Sequence, residues 1–150
     1  IETGSGLFQH GHTYLGHPVA AAAARAVVEK LVKDDLVGRA AEKGKKLSKV
    51  LEEKFSQHPN VGDIRGRGLF QGLEFVEDRE AKQPFNSGHK FAARLKANAF
   101  KAGLICYPMS GTRDGKNGDH VLLAPPFIIE DSQLDELVEK LDTAITATLG

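Results

Sequence analysis

The sequence has little of several features that mark specialised classes of protein. It has one cysteine, so no intramolecular disulfide can form, and a secreted disulfide-rich domain is excluded. It has no excess of positive charge, because 20 basic residues match 20 acidic ones, and neither nucleic acid nor an anionic membrane is an expected partner. No apolar run can cross a bilayer, since the alanine-rich stretch at residues 18–28 is too short and contains Arg25. A cytoplasmic protein is the simplest expectation.

The length of the chain is sufficient for one folded core. A chain of 150 residues buries about two-thirds of the surface that its unfolded form exposes, so neither a metal nor a disulfide is needed for stability. Ile1 is not an initiator methionine, and the residues after it do not resemble a signal peptide. We therefore expect a segment of a longer protein.

The apolar pattern predicts helices alternating with short strands. Residues 1–17 are rich in glycine and histidine without any period, which predicts an extended arm. Helices are predicted at residues 19–32, from 36 to about 58, from a cap at Ser87 to Gly103, and after a cap at Asp131 or Ser132; strands are predicted within 61–76, at 104–107 and at 121–123. This order predicts an α+β fold in which helices cover one face of a small mixed or antiparallel sheet. The expected organisation is an arm, 1–17, that carries a phosphate-binding loop, followed by a small α+β domain, 18–150.

The arm contains the strongest functional signal, the segment HGHTYLGHP at residues 10–18. Its glycines allow close backbone approach, and a hydroxyl and amides precede a helix start, which is a typical anion-binding arrangement. Thr13 can donate a hydrogen bond to a phosphate oxygen, although it can equally well cap a turn. The alternative of a zinc site formed by His10, His12 and His17 lacks a fourth ligand and regular spacing, and no metal is predicted.

Two glycine-rich segments resemble nucleotide-binding motifs but do not match them. In RGRGLFQG, residues 65–72, the last glycine is one residue too far along for a dinucleotide fingerprint, so glycines that ease a strand turn are the better interpretation. In GTRDGKNG, residues 111–118, the spacing is one residue short for a P-loop, and Asn117 replaces its serine or threonine. Arg113 in this loop can reach a substrate carboxylate or can simply be solvated.

The single cysteine, Cys106, is predicted to be structural. It lies between Ile105 and Tyr107 in an apolar segment, and no dedicated base accompanies it in the sequence. A nucleophilic cysteine needs an environment that favours its thiolate, so a catalytic role is not predicted.

Three segments in order, residues 10–18 (HGHTYLGHP), 65–69 (RGRGL) and 123–127 (LAPPF), resemble the last third of class III aminotransferases. The resemblance covers nearly the whole chain, and within the family the chain resembles the omega-amino-acid and amine transaminase group. It implies a homodimeric fold type I enzyme that binds pyridoxal 5′-phosphate as a Schiff base on a lysine. That lysine precedes this segment in the family, so the chain alone is predicted to contain no catalytic residue and to be inactive.

The resemblance also implies roles for individual residues. Thr13, with His12 beside it, corresponds to the motif that contacts the phosphate of the cofactor held in the partner subunit's site. Some family members that act on α-carboxylates carry an arginine where this chain has Leu122, whereas the amine transaminases use an arginine in the preceding loop, where Arg113 lies. Arg113 is therefore the candidate for substrate binding, and the expected reaction transfers an amino group from an amine or amino acid to a keto acid. The alternative is a non-catalytic α+β module that associates with itself.

Overall fold

The computed structural model describes residues 2–150, so Ile1, the first residue of the predicted arm, lies outside the described residues. By its internal contacts the chain divides into two compact units, one that ends at Leu36 and one that runs from Val37 to Gly150. The elements in chain order are α1 (Pro18–Lys33), α2 (Leu36–Phe55), β1 (Val61–Arg67), β2 (Phe70–Phe75), a 3-10 turn (Ser87–His89), α3 (Phe91–Lys101), β3 (Tyr107–Ser110), β4 (Asp119–Leu123) and α4 (Asp131–Leu149). None of the helices within residues 2–150 is both long and apolar enough to span a membrane.

The first unit contains the arm and α1. The described part of the arm has only turns and irregular backbone, as its lack of periodicity predicts, and Pro18 begins α1. Proline suits the first turn of a helix because its missing N–H would have no intrahelical partner there. No residue of α1 is buried in the described structure, and its exposed side chains include Val19, Val27 and Val28.

The second unit is built on a four-stranded sheet with the order β1-β2-β4-β3. All its strand pairs are antiparallel, so the antiparallel alternative of the sequence prediction is the correct one. Burial alternates along the central strands: Leu73 in β2 and Val121 in β4 are fully buried, whereas their neighbours Glu74 and Leu122 are only partly buried. This period of two places one face of the sheet against the helices, which confirms the predicted α+β architecture.

The hydrophobic core lies between that face and the apolar faces of α2, α3 and α4. The helical positions recur every three or four residues, as expected for helices with one buried face. The fully buried side chains with the largest volumes are Phe55, Phe75, Leu47, Leu51, Leu73, Leu95, Leu123, Leu134, Leu141, Ile145, Val61 and Val121.

Several predicted boundaries differ from the structure: α2 already ends at Phe55, and β4 already begins at Asp119. Three other differences have a local cause. Ser87 begins a 3-10 turn instead of α3, because Lys90 has a left-handed backbone (φ 50°) that interrupts the helical path before Phe91. Residues 104–106 do not form a strand, since the pairing of β3 with β4 starts at Tyr107. The cap of α4 is Glu130, whose N–H donates to Oε1 of Gln133 at 2.9 Å, instead of Asp131 or Ser132.

The RGRGL segment forms the β1–β2 hairpin. Gly68 has a left-handed backbone (φ +57°), and a Cβ atom at Gly66 would lie 2.2 Å from the carbonyl oxygen of Phe70. Gly44 of α2 packs directly on this turn, because its own Cβ would lie 2.3 Å from the carbonyl carbon of Gly68. Gly66 therefore allows a close approach within the hairpin, and Gly44 and Gly68 allow the helix and the hairpin to touch through their backbones, which confirms the structural interpretation of the motif.

Candidate functional site

The arm presents Thr13 at the surface just before α1. Residues 13–16 form a turn in which the N–H of Leu15 donates to the carbonyl of His12 at 2.9 Å and the N–H of His17 donates to that of Tyr14 at 3.0 Å. The side chain of Thr13 is exposed, and within the described residues its hydroxyl has no hydrogen-bond partner. The hydroxyl is therefore available to a ligand that approaches the turn.

The three histidines of the arm have different surroundings. Nδ1 of His17 accepts a hydrogen bond from the N–H of Ala20 at 3.3 Å, so this imidazole caps the start of α1. The rings of His10 and His12 meet edge to face, 5.2 Å apart, and both are exposed. Within residues 2–150 no group of three or more histidine, cysteine, aspartate or glutamate side chains is arranged to hold a metal ion.

The charge of this segment suits an anion. Between Glu2 and Glu29 the chain contains no carboxylate, and Arg25 is its one lysine or arginine. The 16-residue helix α1 has its positive dipole end at Pro18, next to the turn that carries Thr13. A hydroxyl donor, an imidazole and a helix N-terminus, in a stretch of sequence without carboxylates, fit a phosphate group, and Thr13 and His12 are the side chains that would contact it.

The β3–β4 loop, residues 111–118, carries Arg113 and has an ordered backbone. The N–H of Thr112 donates to the carbonyl of Gly118 at 3.2 Å, and the N–H of Arg113 donates to that of Asn117 at 3.0 Å. Inside the loop, Asp114 accepts hydrogen bonds from the N–H of Asn117 at 2.7 Å, from its side-chain amide at 2.8 Å and from the N–H of Lys116 at 2.9 Å. These bonds lower the pKa of Asp114 to about 2, so its carboxylate stays ionised and accepts hydrogen bonds within the loop.

Arg113 lines a largely polar depression of about 440 Å³ in the second unit. The side chain is exposed, and within the described part of the chain its guanidinium has no carboxylate within ion-pair distance. Such a guanidinium can bind an incoming carboxylate through two parallel hydrogen bonds. The depression is lined by Glu77, Gln83, Pro84, Phe85, Asn86, Arg113, Asp114 and Asn117.

The remaining candidates have structural roles. Arg65 forms ion pairs with Asp63 and, at 2.7 Å, with Glu74 on the neighbouring strand. Cys106 is half-buried, and burial raises the pKa of its thiol to about 11, which opposes formation of the nucleophilic thiolate. Neither residue has an arrangement suited to catalysis.

Sequence reasoning missed two features of these sites. One is the cap that His17 provides to α1, because histidine is not among the residues that commonly cap helices. The other is the depression beside Arg113, whose remaining walls come from the segment between β2 and α3. Only the folded chain brings that segment next to the β3–β4 loop.

Comparison with known proteins places the chain in one family. Residues 1–145 match the model of the class III aminotransferases. An uncharacterized aminotransferase of Schizosaccharomyces pombe is 53% identical over 138 residues, which cover 92% of this chain and 30% of that protein. The diaminobutyrate–2-oxoglutarate transaminase of Halomonas elongata is 32% identical over 97% of this chain and 30% of its own length. The chain therefore spans about a third of the length of these relatives.

Solved structures agree with the sequence comparison. An (S)-enantioselective omega-transaminase from Thermomicrobium roseum superposes with a TM-score of 0.84 at 32% identity, over 99% of this chain and 31% of that one. An aminotransferase of Bacillus anthracis has a TM-score of 0.83 at 34% identity, over 95% of this chain and 31% of its own. The shared fold, the matched residues and the level of identity lead to one conclusion: this chain belongs to the class III aminotransferases.

Proposed function

We propose that the whole protein containing this chain transfers an amino group from an amine or amino acid to a keto acid with the help of pyridoxal 5′-phosphate. Membership of the class III family is the single observation that carries the proposal. When bound, the cofactor would accept the electrons of the bond that is broken next to the amino group. The residues of this chain contribute binding and orientation, in an arm, 1–17, and in a small α+β domain, 18–150. The single cysteine further favours a cytoplasmic location.

Thr13 and His12 bind the phosphate of the cofactor in this proposal. The exposed hydroxyl of Thr13 and the absence of carboxylates from the sequence between Glu2 and Glu29 support that role. A phosphate ligand on an exposed arm is useful when the arm reaches another subunit, and we therefore propose a homodimer in which each arm completes the cofactor site of the partner. The hydroxyl would donate a hydrogen bond to a phosphate oxygen, and amides of the turn would add others.

The chain alone is proposed to be inactive because it lacks the lysine that holds the cofactor. A lysine amine becomes nucleophilic near neutral pH when burial or neighbouring charge lowers its pKa. None of the lysines within residues 2–150 is buried. Several form ion pairs instead, such as Lys54 with Asp142 at 2.7 Å and Lys140 with Glu136 at 2.6 Å.

Borohydride reduction followed by intact-mass measurement tests this division of roles. The 150-residue chain and a longer version extended upstream are incubated with pyridoxal phosphate and then reduced. Reduction converts a Schiff base between the cofactor and a lysine into a stable amine. We expect one stoichiometric adduct on the longer version and none on the short chain. A single labelled lysine within the short chain would contradict the proposal.

Arg113 is proposed to bind the carboxylate of the substrate. Arg113→Leu in the full-length protein should raise KM for a keto acid about tenfold, the size expected when a charged hydrogen-bonded contact is lost. KM for an aldehyde acceptor of the same chain length should not change, since it has no carboxylate. Arg79→Leu, an exposed arginine outside the depression, is the matched control. Equal KM changes for both acceptors would show that Arg113 does not recognise the carboxylate.

A non-catalytic module that associates with itself is the second candidate. The exposed valines of α1, including Val27, Val28 and Val32, favour it, since exposed apolar surface is typical of association sites. A stable dimer of the 150-residue chain without cofactor, seen by sedimentation, together with absence of activity in the longer protein would support this candidate over the first.

A further inference from the structure

The base of the β3–β4 loop contains a buried carboxylate that none of the roles proposed above uses. Asp119, the first residue of β4, is only 5% exposed. Its Oδ1 atom accepts a hydrogen bond from the hydroxyl of Ser110, the last residue of β3, at 2.6 Å. Ser110 and Asp119 also face each other as the terminal pair of the two strands. The carboxylate therefore joins the two ends of the loop at the point where it leaves the sheet.

The same oxygen links the loop to α3. Oδ1 of Asp119 also accepts a hydrogen bond from the N–H of Ala92, in the first turn of α3, at 3.3 Å. The capping position of α3 is Lys90, which makes no side-chain cap, so Asp119 satisfies an N–H that the helix itself cannot. A carboxylate is favoured there by the positive end of the helix dipole. Because Phe91 and Leu95 are buried in the core, α3 is a fixed support for the loop.

Further hydrogen bonds fix the conformation of the loop as far as Arg113. Oγ1 of Thr112 lies 2.5 Å from Nδ1 of His120, the residue that follows Asp119. The N–H of Arg113 is bonded to Asn117, and the next residue, Asp114, closes the tip of the loop. The backbone of Arg113 is thus held on both sides while its guanidinium has no ion-pair partner among residues 2–150. A held backbone whose charged end forms no ion pair, although the neighbouring Asp114 attracts it, is the arrangement expected of a pre-ordered binding group.

We propose that Asp119 is a positioning residue for Arg113: its buried carboxylate ties both ends of the β3–β4 loop to α3 and so holds the guanidinium ready for a substrate carboxylate. This inference rests on the proposed role of Arg113. In this proposal the hydrogen bond from Ser110 connects Asp119 to the start of the loop. Without the restraint, binding a carboxylate would also have to order the loop, and that cost would weaken binding of carboxylate substrates alone.

Steady-state kinetics of the full-length protein with two amino acceptors test the proposal. Ser110→Ala removes one hydrogen bond and leaves Asp119 and its contact with Ala92 in place. We expect it to raise KM for a keto acid about two- to tenfold, as for loss of one net hydrogen bond, with little change in kcat. KM for an aldehyde of the same chain length should stay the same, and Ser110→Thr, which keeps the hydroxyl, should restore KM for the keto acid. Asp119→Ala should act in the same direction and more strongly, provided that it folds.

Amide hydrogen exchange supplies a measurement that does not depend on activity. Ser110→Ala should speed exchange of the N–H of Arg113 and leave the N–H groups in the middle of α3 unchanged. Asn98→Ala is the control, because it also removes a single hydrogen bond between side chains, from the amide of Asn98 to the hydroxyl of Thr148 at 3.0 Å, elsewhere in the same unit. That variant should change neither the exchange of Arg113 nor KM for the keto acid.

The possible failures are distinguishable. If Arg113→Leu raises KM for the keto acid while Ser110→Ala does not, the positioning role of Asp119 is overturned and the role of Arg113 stands. If Ser110→Ala raises KM equally for the keto acid and the aldehyde, the hydrogen bonds of Asp119 only stabilise the fold, and the inference is also overturned. If Arg113→Leu leaves both KM values unchanged, Arg113 does not bind the substrate, and the positioning role of Asp119 is overturned as well.

Discussion

Replacing Thr13 with alanine in the full-length protein should weaken the binding of pyridoxal phosphate about 10- to 100-fold, the effect expected when a hydrogen bond to a charged group is lost. The hydroxyl is exposed next to the start of α1 and has no partner within residues 2–150. Its removal should therefore cost the contact with the phosphate and little folding stability. The measurement is the Kd for pyridoxal phosphate, obtained by absorbance titration of the cofactor-free protein.

Two variants control this experiment. Thr13→Ser keeps the hydroxyl and should retain an affinity close to that of the unchanged protein. Thr3→Ala removes a threonine from another exposed position of the arm and should leave Kd unchanged. The assignment of Thr13 to the phosphate would be wrong if Thr13→Ala and Thr3→Ala gave the same Kd.

Gly44→Ala should lower the free energy of unfolding by about 1–3 kcal/mol, the usual cost of inserting an atom into a packed site. Helix propensity alone predicts the opposite sign, a gain of about 1 kcal/mol, because alanine suits a helix interior better than glycine. Packing should dominate, since the added Cβ would meet backbone atoms of Gly68 at 2.3–2.4 Å and backbone cannot move aside as a flexible side chain can. Denaturant titration of the chain measures the change.

The control for Gly44 is its neighbour Lys45, which is exposed on the same helix. Lys45→Ala should change the free energy of unfolding by less than about 0.5 kcal/mol, as is usual at exposed positions. A Gly44→Ala variant that proved more stable than the original would show that α2 and the β1–β2 hairpin do not touch as described.

The helices were largely predictable from the sequence because their apolar residues recur with the helical period. Leu47, Leu51 and Phe55 in α2 and Leu134 and Leu141 in α4 occupy the buried faces that this period predicts. Element ends were less predictable, since they depend on single backbone conformations and on partners distant in the sequence. The left-handed Lys90 delays α3 to Phe91, and the pairing with β4 delays β3 to Tyr107.

The candidate sites divide in the same way. Thr13 could be named as a candidate because a hydroxyl near glycines just before a helix is a local pattern. Arg113 could be named from its loop, but the loop's restraint could not, because Asp119 and Ala92 are 27 residues apart and meet only in the folded chain. The roles of both residues in binding remain predictions.

The amino-acid sequence by itself indicated the family, through its resemblance to known members. It also predicted the faces of α2 and α4 and the irregular arm, because these follow from residue type and short-range spacing. The tertiary structure decided the antiparallel order β1-β2-β4-β3, the contact between Gly44 and Gly68, and the link from Asp119 to Ser110 and α3. The physical reason is that pairing, close packing and satisfaction of buried polar groups depend on neighbours that chain folding supplies and that local patterns do not specify.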